Sequence, residues 1–199
     1  MSAVSAPYGL LPLNLIGGQV YAGATRTMPI NSASATAIFY GDVVNVGSDG
    51  TLSKAVGTTT ATPVGVFLGC SFTDPTYGKT FRQFYPGAVT ASDITAYVCD
   101  DPDALFKVAV VTAYNSTTIG YVNRTAVGNN AILAQNTGST VTGVSKVAID
   151  DTTATTSTWP VRIVDVVPET AMTGYPGSFT EVIVKWNAGM HQYNNPTGT

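Results

Sequence analysis

Residues 63–72 read PVGVFLGCSF, an uncharged run flanked by Thr62 and Thr73. The run is too short for a stable helix and too continuously apolar for a half-exposed strand, so it predicts a strand buried on both faces. Gly65 and Gly69 interrupt it, and a glycine inside a strand marks a bulge or a close backbone approach.

The same pattern extends in both directions. Towards the N-terminus, Thr25 to Ile30, Ala35 to Tyr40, Asp42 to Val46 and Thr51 to Ala55 have strand length and composition. Ser48-Asp49-Gly50 is a hairpin signal, because Asp-Gly accommodates positive φ. Towards the C-terminus follow Thr80 to Tyr85, Thr95 to Cys99, Leu105 to Thr112, Val141 to Ile149, Pro160 to Val167 and Phe179 to Trp186. Between them lie the turns Thr73 to Lys79 and Asp100 to Asp103, and Thr-rich loops at Thr58 to Thr62 and Asp150 to Thr158. No stretch carries a sustained helical apolar period; the best short helix lies around Asn129 to Ala134. These signals predict an all-β fold, a barrel or sandwich of short antiparallel strands. The core spans residues 17–187, with a weak split near 113–130, and residues 188–199 form a polar C-terminal tail.

Composition narrows the function. A chain of 199 residues is long enough for about 70% of its unfolded surface to be buried without disulfides or metals. Charged residues are only 11%, far below the roughly 25% of ordinary soluble domains. The nine Lys and Arg are scattered, whereas nucleic acid requires clustered cations to displace counterions, so no nucleic-acid partner is expected. No apolar run approaches the length of a membrane-spanning helix, and no charged region precedes the first apolar stretch, which argues against membrane insertion and a signal peptide. Cys70 and Cys99 match no metal or redox spacing and read as small buried side chains.

The first sixteen residues, MSAVSAPYGLLPLNLI, combine helix-breaking prolines with a dense set of apolar side chains. They form an extended N-terminal arm that must find a partner surface, either as a first strand on its own core or docked on a neighbouring subunit. The residues expected to make contacts outside the chain are Pro7, Tyr8, Leu10, Leu11, Leu13, Leu15 and Ile16, joined by Trp186, His191 and Tyr193 near the other terminus.

Catalytic signals are poor. His191 is the only histidine and no nucleophile elbow or phosphate loop accompanies it. The cluster Asp100-Asp101-Pro102-Asp103 lacks the spacing of a calcium loop and reads as a solvated turn. No enzyme activity, metal or cofactor is expected. Aromatic residues are the remaining signal, since Tyr and Trp suit interfaces and sugar platforms. Trp159, Trp186, Tyr85-Pro86-Gly87 and Tyr175-Pro176-Gly177 stand out, although core filling accounts for most of them.

Several stretches together resemble the head decoration, or cement, proteins of tailed bacteriophages. These are Ala6 to Gly18, Ile38 to Leu52, Pro63 to Asp74, Phe84 to Gly87, Ala96 to Val108, Thr142 to Asp151 and His191 to Tyr193. The resemblance implies a β-rich, non-enzymatic protein on the outer surface of the capsid in the virion. It would bridge neighbouring copies of the major capsid protein and associate with other copies of itself as a dimer or trimer. The alternative raised by the Tyr and Trp content is a receptor- or glycan-binding β module of a virion spike or tail. A hydrolase built on His191 and scattered aspartates is the weakest reading.

Overall fold

The computed structural model describes residues 6–32, 34–170 and 179–198. The expected Tyr175-Pro176-Gly177 turn lies outside them. The strands are β1 (Leu11–Leu15), β2 (Arg26–Pro29), β3 (Val43–Val46), β4 (Leu52–Lys54), β5 (Gly65–Asp74), β6 (Gly78–Arg82), β7 (Thr95–Cys99) and β8 (Ala104–Val111), then β9 (Asn130–Ala134), β10 (Ala148–Ala154), β11 (Val161–Val166) and β12 (Glu181–Trp186). The all-β expectation holds.

Five strands close into a barrel in the order β8-β10-β9-β11-β12, with β12 pairing back onto β8. The β8–β10 pairing is parallel, the one departure from the expected antiparallel pattern among these pairs. A separate sheet runs β2-β7-β5-β3-β4, with β6 added to β5. The chain passes from that sheet to the barrel at the acidic turn Asp100 to Asp103, and residues 113–129 lie between β8 and β9 of the barrel.

Strand burial explains the sequence pattern. In β8, Ala104, Phe106, Val108 and Val110 join the main core, while Ala109 and Val111 belong to a small cluster with Ala134, Ala148 and Phe179. Both faces are covered, which is why the run is almost continuously apolar. In β5, Val66 joins the main core, whereas Phe67, Cys70 and Phe72 belong to a second core. Val43 and Val44, and likewise Cys99 and Val98, divide between the same two cores. One face of the second sheet therefore packs towards the barrel and the other builds its own core. Both expectations for the β5 glycines are met. A Cβ at Gly65 would lie 2.2 Å from the Cys99 carbonyl oxygen, and the register slips between Phe67 and Gly69. Cys70 and Cys99 are free and buried, in different cores.

Some sequence expectations fail for definable reasons. Asn129 to Ala134 is not a helix: Asn130 to Ala134 forms β9, buried at every position between β10 and β11. Barrel closure overrides the local preference of Ala and Leu. The strand expected at Val141 to Ile149 lies further on, at Ala148 to Ala154, so the Thr-rich loop begins later. The Asp150 carboxylate accepts the Thr152 N–H at 2.7 Å, supporting the irregular register between Ile149 and Thr153. Ala35 to Tyr40 is not a strand; it makes only the single bridges Ile38–Tyr85 and Tyr40–Val144.

The two bodies meet at Gly41-Asp42. Asp42 is fully buried. Its carboxylate accepts the Ser145 hydroxyl at 2.6 Å and the Phe39 N–H at 2.9 Å, and lies 3.1 Å from the Lys54 ammonium. Ser145 in turn accepts the Val147 N–H at 2.9 Å, just before β10. The Gly41 carbonyl accepts the Leu10 N–H at 3.0 Å, and the Gly41 N–H donates to Phe67 at 2.8 Å. A Cβ on Gly9 would sit 2.5 Å from that carbonyl oxygen, so the N-terminal segment passes over this turn only as glycine.

Removing the carboxylate would leave the Lys54 ammonium, whose side chain is 10% exposed, without its counterion. Asp42→Ala is expected to destabilise the protein by about 3–5 kcal/mol, read as a lowered denaturation midpoint in urea at an unchanged slope.

Candidate interaction surface

The N-terminal segment is extended, as expected, and it lies on its own chain. Leu11, Pro12 and Leu15 pair with Lys107, Phe106 and Ala104 of β8. Pro7 and Leu10 are buried, Tyr8, Leu11, Leu13 and Leu15 are half-buried, and Ile16 is exposed. Tyr8 anchors the segment: its hydroxyl donates to Glu181, the Lys107 ammonium lies 3.0 Å from the same carboxylate oxygen, and Lys107 also sits 5.6 Å above the Tyr8 ring. Burial, with the Glu181 hydrogen bond adding to it, pushes the Tyr8 phenol well above its usual range. Of the two outcomes open for this segment, the structure has the first strand on its own core.

The C-terminal residues also turn inward. Trp186 and His191 are 2% and 1% exposed. Their rings form a chain from Phe106 through Trp186 and His191 to Tyr193, with centroid separations of 5.2, 6.5 and 5.3 Å. Gln192 fastens the tail to β3, donating to the Val46 carbonyl at 2.8 Å and accepting its N–H at 2.9 Å. Of the residues expected to make external contacts, Pro7, Leu10, Trp186 and His191 therefore pack within their own chain. Ile16 and Tyr193 remain on the surface, at 47% and 49% exposure.

Tyr193 borders a groove of about 660 Å³ together with Leu15, Val20, Tyr21, Arg26 and Asp100. Arg26 bonds Asp100 at 2.6 Å and lies 5.3 Å over the Tyr193 ring, while the Tyr193 hydroxyl donates to Asp100 at 3.2 Å. The rest of the acidic turn is engaged too: Asp101 accepts the Asp103 N–H at 2.8 Å, and Asp103 faces Lys185 at 3.6 Å.

A second surface was not singled out by the sequence. Beyond Ser71, β5 leaves β7 and continues with β6 alone as a two-stranded ribbon to Asp74 and Gly78. Tyr77 at its tip and Phe81 on β6 are 79% and 71% exposed. Phe81 stacks on Tyr97 at 6.5 Å. Asp93 buttresses the ribbon, accepting the Thr73 N–H and hydroxyl at 2.9 and 2.7 Å and pairing with Lys79 at 2.9 Å. These bonds, the Thr73 N–H first, hold the Asp93 carboxyl well below the usual range. On the ribbon's flank, a recess of about 350 Å³ is lined by Phe72, Arg82, Pro86 and Val89. The β6 edge carries no further strand among the described residues. Alternation from Thr80 to Tyr85 marks this strand, but nothing in the sequence says that Phe81 faces outward.

Among the described residues, no three His, Cys, Asp or Glu side chains gather as a metal site. Nor do they include a helix long and apolar enough to cross a membrane. No family model, curated protein or solved structure matches the chain.

His191 gives a pH prediction. Burial lowers its pKa, with Asp100 and Asp101 opposing, so the folded state favours the neutral ring. The unfolded chain takes up that proton near pH ~6.5. As pH falls below this value the unfolded state binds more protons, and stability declines until the folded imidazole also titrates. The melting temperature should therefore fall between pH 7.5 and 5.5, and by less in His191→Asn; equal falls in the two proteins would contradict the assignment.

Proposed function

We propose that this chain is a capsid cement or decoration protein, which binds the outside of a tailed-phage head and bridges neighbouring major capsid subunits. The observation that carries the reading is the buttressed β5–β6 ribbon, which presents Tyr77 and Phe81 beside a strand edge that no other strand among the described residues covers. An edge of this kind can add a strand from a partner through backbone hydrogen bonds, while aromatic anchors supply the apolar contact. The Asp93 bonds fix the ribbon beforehand, which reduces the ordering cost of binding. A bridging protein requires a second contact, and the groove lined by Leu15, Val20 and Tyr193 offers one. Low charge also suits the role, because salt weakens apolar and backbone contacts little. The sequence resemblance points the same way.

A second reading, a glycan- or receptor-binding module, draws on the same groove, where Arg26 and Asp100 adjoin the exposed Tyr193 ring. Selective binding on a glycan array together with no affinity for phage heads would favour it.

Deleting the whole N-terminal segment is a poor test of docking, because Leu10 is part of the core. Surface substitutions are better. Tyr77→Ser with Phe81→Ser should leave the circular dichroism spectrum unchanged and weaken co-sedimentation with undecorated heads by at least about 30-fold, the loss of one strong anchor. If the unmodified protein failed to sediment with heads at all, the cement reading would be wrong.

A further inference from the structure

We infer that residues 7–15 are exchanged between copies of this chain, β1 of one copy filling the slot on β8 of the next. The inference goes beyond the capsid reading and does not depend on it.

The slot is specific. β8 gives one side to β12, while its other side is shared by β1, opposite Ala104 to Lys107, and β10, opposite Val110 and Val111. Without β1, the first half of β8 would present unpaired backbone groups, Glu181 would lose the Tyr8 hydroxyl, and a core position now filled by Leu10 would be empty. The occupant is therefore fixed by the structure: the sequence that fits this slot is this chain's own residues 7–15, and any second copy carries the same residues.

The connection to the rest of the molecule is built to open. From Ile16 to Gln19 the chain makes a tight turn held by two backbone bonds, Leu15 N–H to Gln19 at 2.9 Å and Gly18 N–H to Leu15 at 2.9 Å, and closed by the bridge between Asn14 and Val20. Gly17 and Gly18 form the turn with no atom near their missing side chains, and residues 16–20 are all exposed. Ten residues separate β1 from β2; fully extended they reach about 35 Å. Opening the turn would lose those two bonds and the Asn14–Val20 bridge, while the contacts that residues 7–15 make with β8 and the core would be remade on the neighbour, the low-cost route to association known as strand exchange. Ile16 and Val20 flank the hinge and are 47% and 77% exposed. In an exchanged pair, the two hinges would run past each other and could cover these side chains, a contact that the single chain lacks.

The entropic cost of association favours the closed single chain in dilute solution, and a high local concentration reverses that balance. Leu15 and Ala104 are direct partners across β1 and β8. A Leu15→Cys, Ala104→Cys protein, refolded at about 1 mM and oxidised, should run on a non-reducing gel as disulfide-linked dimers or larger closed species. The same protein refolded at about 1 µM should give internally linked monomer, and the parent, with only buried Cys70 and Cys99, should give neither product. Internally linked monomer alone at both concentrations would overturn the inference. A second variant guards against misfolding of the first. Deleting Gly17 and Gly18 removes the turn that returns the chain to Gln19 and so disfavours the closed form, and this protein should sediment as a dimer or larger species with a native circular dichroism spectrum. A folded monomer would overturn the inference equally.

Discussion

The carboxylate of Asp42 has no exposed surface, and three separate parts of the chain converge on it. Lys54 reaches it from β4, Ser145 from the approach to β10, and the backbone of Phe39 from its own turn. A buried carboxylate is tolerated only when its lone pairs and its charge are matched, and here both are. Meeting those conditions fixes the second sheet against the barrel, because the groups that satisfy Asp42 come from both. The adjacent Gly41 then carries the N-terminal segment across the junction through Leu10, with Gly9 lying against the Gly41 carbonyl. The barrel, the second sheet and the leading strand thus share one buried polar knot.

Much of this architecture was legible in the residues. PVGVFLGCSF reads as a strand buried on both faces because β5 serves two cores, and its two glycines reveal the bulge and the close approach to Cys99. LFKVAVV reads as a strand for the same reason. What escaped detection depends on pairing partners distant in sequence. Asn130 to Ala134 has helix-compatible residues, and only closure of the barrel makes it a strand. Asp42 looks like any turn aspartate until Ser145 is brought within 2.6 Å of it across a hundred residues of chain. The site was legible only in part. The apolar density of residues 7–16 announced a segment in need of a partner, but the choice between its own core and a neighbour's is one of geometry. His191 looked like a surface residue of a polar tail and Trp186 like a contact at the end of the last strand, whereas the Gln192 bonds to Val46 fold that tail over both. The outward face of Phe81 could not be read from strand alternation alone.

The functional reading follows from where rigidity and exposure coincide. The His191 imidazole lies between the rings of Trp186 and Tyr193, and the carboxylates of the acidic turn are engaged with Arg26, Lys185, Tyr193 and backbone. What remains on the surface is a stiffened ribbon with two aromatic side chains, a groove flanked by apolar residues, and the exposed glycine turn that follows β1. On the proposed reading, these are the features that would hold neighbouring molecules.

The claim on which this account rests is that the Asp42 knot makes the barrel and the second sheet one cooperative unit. Differential scanning calorimetry of the intact chain tests it most directly. A single transition with equal calorimetric and van't Hoff enthalpies is the predicted result. Two resolved transitions, one for each body, would contradict it.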